Sequence, residues 1–170
     1  MEKIFQGLLG SPDMQITGNQ FTKTAALFGN DLATSPDYPA EIRAPAGTLA
    51  GVSGFQIQFG AEEVFTPGDR PDVLVAMNPA SLKVNLPRLQ PGGVLIVDRD
   101  AFSDRDLAKA GYAENPLEDA AVTTRYRLHA VPASTLTLQA LEGLDLKRSA
   151  KTRCRNFFAL GLVYWLYDRP

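Results

Sequence analysis

Two short apolar runs constrain this chain more than any other feature: Val73-Leu74-Val75-Ala76 and Val94-Leu95-Ile96-Val97. Both are continuous and rich in β-branched residues, so each reads as a strand buried on both faces. Asn78-Pro79 closes the first run, and Pro79 suits the first position of a helix, where a missing N–H costs nothing. Leu82, Leu86 and Leu89 are the apolar positions of that helical segment, and Pro91-Gly92-Gly93 stops it. The stretch from Pro71 to Asp98 is thus a strand, a helix and a strand. Such a unit is a right-handed βαβ crossover with its strands parallel in one sheet, which makes the fold class α/β. Ligands of such sheets sit beyond the carboxyl ends of the strands, so Asn78 and Asp98 are expected to face the crevice.

The totals exclude several functions. At 170 residues, with 45% hydrophobic residues, the chain fits one domain with a real core, spanning 1–170. A net charge of −2 argues against a nucleic-acid binder. The one cysteine, Cys154, leaves no internal disulfide and suits a reducing cytoplasm, where the chain is expected. Cys154 and His129 stand alone as soft ligands, so a zinc site is not expected. The N-terminus carries no signal-peptide pattern. The apolar segment from Phe157 to Tyr167 falls short of the roughly twenty residues that span a bilayer, so no membrane partner is expected.

Ahead of the βαβ unit, Lys3 to Gly10 reads as a first strand running into a glycine-containing loop. A helix is expected from about Gln20 to Leu32, with Phe21, Ala25, Phe28 and Leu32 as one stripe and Thr17 as its cap. The loop GLLGSPDMQITG does not match GxGxxG, and Pro12 removes a donor, so no dinucleotide is expected there. Asp31 to Pro39 reads as a polar loop turning at Ser35-Pro36. In Glu41-Ile42-Arg43 the two charges share one face of an extended segment, first a surface ion pair and, more sharply, a carboxylate with an arginine partner. Val52 to Phe59 alternates Phe55, Ile57 and Phe59 with Gln56 and Gln58, the pattern of a half-exposed strand, antiparallel or near an edge, so the sheet should be mixed.

Beyond Asp98, Ser103 caps a short helix to Ala110. Arg125 to Pro132 reads as a strand whose Arg125, Arg127 and His129 form a solvated face, with an anion-binding strip as the sharper alternative. Ser134-Thr135 should cap a helix from about Leu136 to Leu144. A last helix is expected from about Ser149 to Tyr167. Lys151, Arg153 and Arg155 crowd its first turns, where positive charge opposes the macrodipole and suits an anion or an acidic surface. From Phe157 onward it is apolar nearly all round, which calls for burial here or against another chain.

Four blocks carry a family resemblance: MQITGNQFTKTAALFGNDLAT (Met14 to Thr34), YPAEIRAPAGTLAGVSGFQIQ (Tyr38 to Gln58), GDRPDVLVAMNPASLK (Gly68 to Lys83) and RNFFALGLVYWLYDRP (Arg155 to Pro170). They resemble the γ domain of the 2-oxoacid:acceptor (ferredoxin) oxidoreductases, most closely the domain at the N-terminus of the α subunit in 2-oxoglutarate-type enzymes. The resemblance implies a three-layer α/β/α domain with a mostly parallel, mixed central sheet. It also implies a multisubunit enzyme that decarboxylates a 2-oxoacid on thiamine diphosphate, passes electrons through iron–sulfur clusters to ferredoxin or a similar acceptor, and forms an acyl-CoA. The thiamine and cluster ligands lie in other domains, so no cofactor is expected on this chain alone and the isolated chain should be inactive. Its implied partners are thiamine-binding α and β subunits, with a ferredoxin-like subunit as a further candidate.

The family's γ domain lies near the coenzyme A site, which makes Gly10, Ser11, Arg43 and Asn78 the candidate contacts to CoA or another anion. No catalytic residue and no metal ligand is assigned. One departure matters: the family has a compact Gly/Asp-rich loop of the kind GDSGDG after the first strand, where this chain has Gly7 to Asp13 as GLLGSPD. That change opens a second reading, an interaction module that has lost its ligand contacts. A third follows from Leu89 to Leu95, LQPGGVL, which resembles a step found in methyltransferases.

Overall fold

The computed structural model describes residues 3–8, 13–37, 54–60, 63–66 and 68–166. The six strands are β1 (Lys3–Leu8), β2 (Asp31–Asp37), β3 (Gly54–Gly60), β4 (Val73–Ala76), β5 (Val94–Asp98) and β6 (Arg127–Val131). They form one sheet in the order β2-β3-β1-β4-β5-β6. β1, β4, β5 and β6 run parallel, while β3 is antiparallel to both its neighbours β1 and β2. The sheet is mixed and mostly parallel, as expected.

Seven helices occur among the described residues: α1 (Asp13–Leu27), α2 (Pro79–Asn85), α3 (Asp104–Lys109), α4 (Ala120–Thr123), α5 (Ala133–Ala140), α6 (Arg148–Arg153) and α7 (Arg155–Leu166). The central strands divide their side chains between two cores. Val73, Val75, Val94 and Ile96 join Phe21 of α1, Ala133 of α5, and Ala159, Leu160 and Val163 of α7. Leu74, Ala76, Leu95 and Val97 join Leu82 of α2, Leu107 of α3 and Val122 of α4. This is the three-layer α/β/α sandwich, and it follows from strands apolar at every position: each face must be covered. Burying a single such side chain stabilises the fold by about 1.5–3 kcal/mol.

The turn into β5 accounts for Pro91-Gly92-Gly93. Gly92 has a φ of 76°, and a Cβ on Gly93 would stand 2.8 Å from the Gln90 carbonyl. Both glycines are demanded by backbone geometry, which supplies a complete reason for the sequence likened to a methyltransferase step.

Several expected elements differ. The first helix is α1, which begins at Asp13 and ends at Leu27 rather than running from Gln20 to Leu32. Gly29 at φ 72° ends it, with its N–H and that of Asn30 returning to the carbonyls of Ala26 and Ala25. Phe21 and Ala25 are buried, while Phe28 falls past the end and is exposed. The supposed loop from Asp31 contains β2, an edge strand, where Pro36 is tolerated because one side of the strand needs no ladder donor. β3 is neither half-exposed nor at an edge, since β2 and β1 flank it and every residue is buried. Gln56 pays no orphan cost there: Arg88 donates to its Oε1 at 2.8 Å and its Nε2 donates to the Gly68 carbonyl.

The last helix is two helices, α6 and α7, broken at Cys154. α7 is not buried all round; Asn156, Ala159, Leu160 and Val163 form its covered face. Its far end is tied to α1, since Tyr164 stacks on Phe21 and its hydroxyl donates to Thr24 Oγ1 at 2.8 Å. Burial pushes the Tyr164 phenol above its ordinary value, and the bond to Thr24 works against that. β6 is short and lies at the other edge, with Arg127 and His129 exposed, as in the solvated-face reading.

α1 approaches β3 closely at Gly18, where a Cβ would clash with the Phe55 ring. Gly18→Ala should therefore destabilise the domain, because overpacking costs about 1–3 kcal/mol while alanine's better helix propensity returns about 1 kcal/mol. Urea unfolding should show a lower midpoint with an unchanged slope; an equal or higher midpoint would mean that α1 stands further from β3.

Candidate functional site at the carboxyl edge of the sheet

β1 and β4 are parallel neighbours, with Leu8 paired to Ala76 at their carboxyl ends. From there the chain diverges: α1 packs on one face with Phe21, and α2 packs on the other with Leu82. Adjacent strands whose connections leave to opposite faces define a topological switch point, where an open α/β sheet has a ready crevice.

Asn78 stands at this point, two residues beyond β4. Its extended backbone (φ −161°, ψ 162°) makes it the N-cap of α2, and its Oδ1 accepts the Ser81 N–H at 2.8 Å. Pro79 follows at the first helical position, as the sequence predicts. Asn78 is half-buried, and its amide nitrogen, which carries two donors, has no partner among the described residues. Gly10, Ser11 and Arg43, together with Glu41, lie outside the described residues.

Asp98, at the end of β5, has a different task from the one its position suggested. It is fully buried and accepts from the chain itself: Oδ1 takes the Ser134 N–H at 3.2 Å and the Asp100 N–H at 3.3 Å, and Oδ2 takes the Ser134 hydroxyl at 2.6 Å. Arg155 Nη1 lies 3.7 Å from Oδ2. Asp100 Oδ2 accepts the Thr135 N–H at 2.7 Å. Two carboxylates from the end of β5 thus occupy the amino end of α5, where free N–H groups and the helix dipole favour negative charge. Ser134-Thr135 does not cap a helix starting at Leu136; α5 starts at Ala133, and its cap comes from Asp98 and Asp100. Arg155, which the sequence presents as a charge opposing a helix dipole, is held by Asp98. This clasp fixes the starts of α5 and α7 to the carboxyl edge.

Asn156 lies beside Arg155 in the first turn of α7. It is 2% exposed, and its Oδ1 is buried with no partner among the described residues. Sequence reasoning missed the clasp, because its Asp98 and Asp100 carboxylates meet groups 35 or more positions away, and no local pattern marks Asn156. A cavity of about 340 Å³ between α5 and α6 is lined by Leu138, Gln139, Glu142, Leu146, Arg148 and Lys151, none of them a predicted site residue. Among the described residues no three His, Cys, Asp or Glu side chains could hold a metal ion together, and no helix is long and apolar enough to cross a membrane.

The sequence from 10 to 169 matches the family described as pyruvate ferredoxin/flavodoxin oxidoreductase. The chain belongs to that family. It is 56% identical over 156 residues to the 2-oxoglutarate oxidoreductase subunit KorA of Mycobacterium tuberculosis, covering 92% of this chain and 24% of KorA. It therefore spans about a quarter of that curated relative. Among solved structures, the fold is similar to the 2-oxoglutarate:ferredoxin oxidoreductase of Magnetococcus marinus, described with 2-oxoglutarate, coenzyme A and succinyl-CoA bound. That likeness has a TM-score of 0.69 at 21% identity and covers 96% of this chain and 24% of that one. It is also similar to the keto/oxoacid ferredoxin oxidoreductase γ subunit of Geobacter sulfurreducens PCA, with a TM-score of 0.65 at 16% identity, covering 96% of this chain and 75% of that subunit. The resemblance read from the four sequence blocks holds, and so does the α/β fold it implied.

The two polar positions should separate in a stability test. Asp98→Ala strands the two Ser134 donors and removes the partner of the half-buried Arg155, and each buried group left unsatisfied costs about 1–3 kcal/mol. Asn78→Ala removes one helix cap, worth about 1 kcal/mol. Thermal unfolding of the two variants measures the gap; equal losses would contradict the clasp.

Proposed function

We propose that this chain is the γ component of a multisubunit 2-oxoacid:acceptor oxidoreductase that acts on 2-oxoglutarate. The observation that carries this reading is the 56% identity to KorA across 92% of the chain. The enzyme would convert the 2-oxoacid oxidatively to an acyl-CoA and deliver electrons to ferredoxin or a similar acceptor. On this reading residues 1–170 are one γ domain, working in the cytoplasm against thiamine-binding α and β polypeptides, with a ferredoxin-like subunit as a further partner.

The chemistry of the redox and thiamine groups has to be supported elsewhere. An iron–sulfur cluster takes about four thiolates, and the sequence has one cysteine. A thiamine diphosphate metal needs a set of oxygen ligands, and the described residues offer no such cluster. No step is assigned to either group on this chain, which is noncatalytic and inactive alone.

Coenzyme A fits better. The switch point and the amide donors of Asn78, without a partner among the described residues, support a contact with a polar or anionic ligand. Arg43 would supply the cation, and the Gly10-Ser11 segment would supply backbone donors. Bound CoA would provide the thiol that accepts the acyl group; these residues would hold and orient its polar parts.

The test is a steady-state assay of the assembled enzyme, following acceptor reduction that depends on 2-oxoglutarate and CoA. Leaving this chain out should abolish turnover. Arg43→Ala and Asn78→Ala should each raise the KM for CoA by about tenfold, the equivalent of roughly 1.4 kcal/mol, with the KM for 2-oxoglutarate unchanged. Turnover that persists without the chain would refute the reading. The loop Gly7 to Asp13, which departs from the family's Gly/Asp-rich form, favours one second reading, an interaction module without ligand contacts. That reading takes over if both variants keep the CoA KM while omission still abolishes activity.

A further inference from the structure

The outer face of α7 is apolar and not covered by the described residues. Phe157, Gly161 and Trp165 recur at intervals of four along it, and no charged residue occurs from Asn156 to Leu166. Phe157 is 45% exposed and Trp165 is 75% exposed. Helical residues four apart stack on one side, so these three make a single stripe opposite the face that packs on the sheet. The bond from Tyr164 to Thr24 sets the last turn of α7 beside the last turns of α1, where Leu27 and Phe28 are also exposed.

Gly161 gives this stripe its meaning. Glycine is the poorest interior helix residue after proline. The other crowded glycines have a local reason: Gly18 admits the Phe55 ring, and Gly93 avoids backbone carbonyls. Gly161 has no such reason, since a Cβ built on it would meet nothing within 4 Å. The domain itself leaves room for a side chain there. Between Phe157 and Trp165 the missing side chain leaves a notch that admits another backbone or a bulky apolar side chain.

Resting on the reading above, we propose that this stripe is the seam against the polypeptide that makes up the other three-quarters of a KorA-type chain, and that an apolar segment of it crosses α7 at Gly161. The comparisons favour that occupant. The same fold occurs as about a quarter of the KorA and Magnetococcus chains and as most of the separate Geobacter γ subunit. A surface that suits both arrangements is one facing a companion.

The experiment combines this 170-residue chain with co-expressed polypeptides carrying the remaining KorA-type sequence, using Gly161→Leu and Trp165→Ala. Leucine at 161 meets open space and is a good helix former, so the variant alone should melt no lower than the parent. In the assembly, Gly161→Leu should weaken binding at least about 100-fold, and Trp165→Ala about tenfold or more, as buried aromatic anchors do. Hydroxyl-radical footprinting should show Trp165, the chain's one tryptophan, labelled rapidly when free and at least about fivefold more slowly when bound. Parent-like binding by Gly161→Leu, or unchanged labelling of Trp165 in a formed complex, would overturn the seam and leave the functional reading standing. Light scattering that finds a dimer abolished by Gly161→Leu would assign the stripe to a second copy and overturn it too. Failure of the parent chain to bind at all would sink both the seam and the reading beneath it.

Discussion

Strands that are apolar on both faces have to be covered twice, and everything else in this fold follows from that. β4 and β5 place Val73, Val75, Val94 and Ile96 on one side and Leu74, Ala76, Leu95 and Val97 on the other. Helices must then pack on each side of the sheet, and the connections from neighbouring strands must part company somewhere. They part between β1 and β4. The crevice at the carboxyl edge is thus a by-product of covering a two-faced sheet, and the residues just beyond those strands inherit whatever ligand chemistry the domain has.

A parallel sheet also gathers helix starts at one edge, each with unsatisfied N–H groups. This chain spends two of its own carboxylates there. Asp98 and Asp100 hold the start of α5, and Asp98 also holds Arg155 at the start of α7. That leaves the α5 terminus closed to an exogenous anion and concentrates the available polar groups at the β1–β4 switch point. The division is physical: one part of the edge is used for holding the layers together, and another has the amide donors of Asn78, which meet no partner among the described residues.

Much of the layout was legible because it depends on local pattern. The βαβ unit, Pro79 at the first turn of α2, Ser103 as a cap and the mixed sheet all follow from residues close in sequence. The failures share a cause as well. β2 reads as a loop because its polar DLATSPD meets no apolar criterion, yet an edge strand needs only its ladder to β3. β3 reads as half-exposed because Gln56 looks solvated, whereas Arg88, 32 residues away, satisfies it. Ser134 reads as a cap for its own helix, but its partner comes from β5. Long-range pairing changes the meaning of a polar residue, and no window along the chain contains that information. Of the four candidate contacts, Asn78 is placed at the switch point; Gly10, Ser11 and Arg43 rest on the family resemblance.

On the proposed reading the domain supports chemistry performed by other parts of an oxidoreductase: a three-layer sandwich, a polar edge and an apolar outer helix. Affinity purification of this chain, tagged, from cells that express it natively tests that account most directly, with the eluate assayed for 2-oxoglutarate-dependent reduction of a viologen. The account predicts that the activity elutes with the chain, together with thiamine diphosphate and iron in stoichiometric amounts. A chain that elutes alone, while the activity remains in the flow-through, would contradict it.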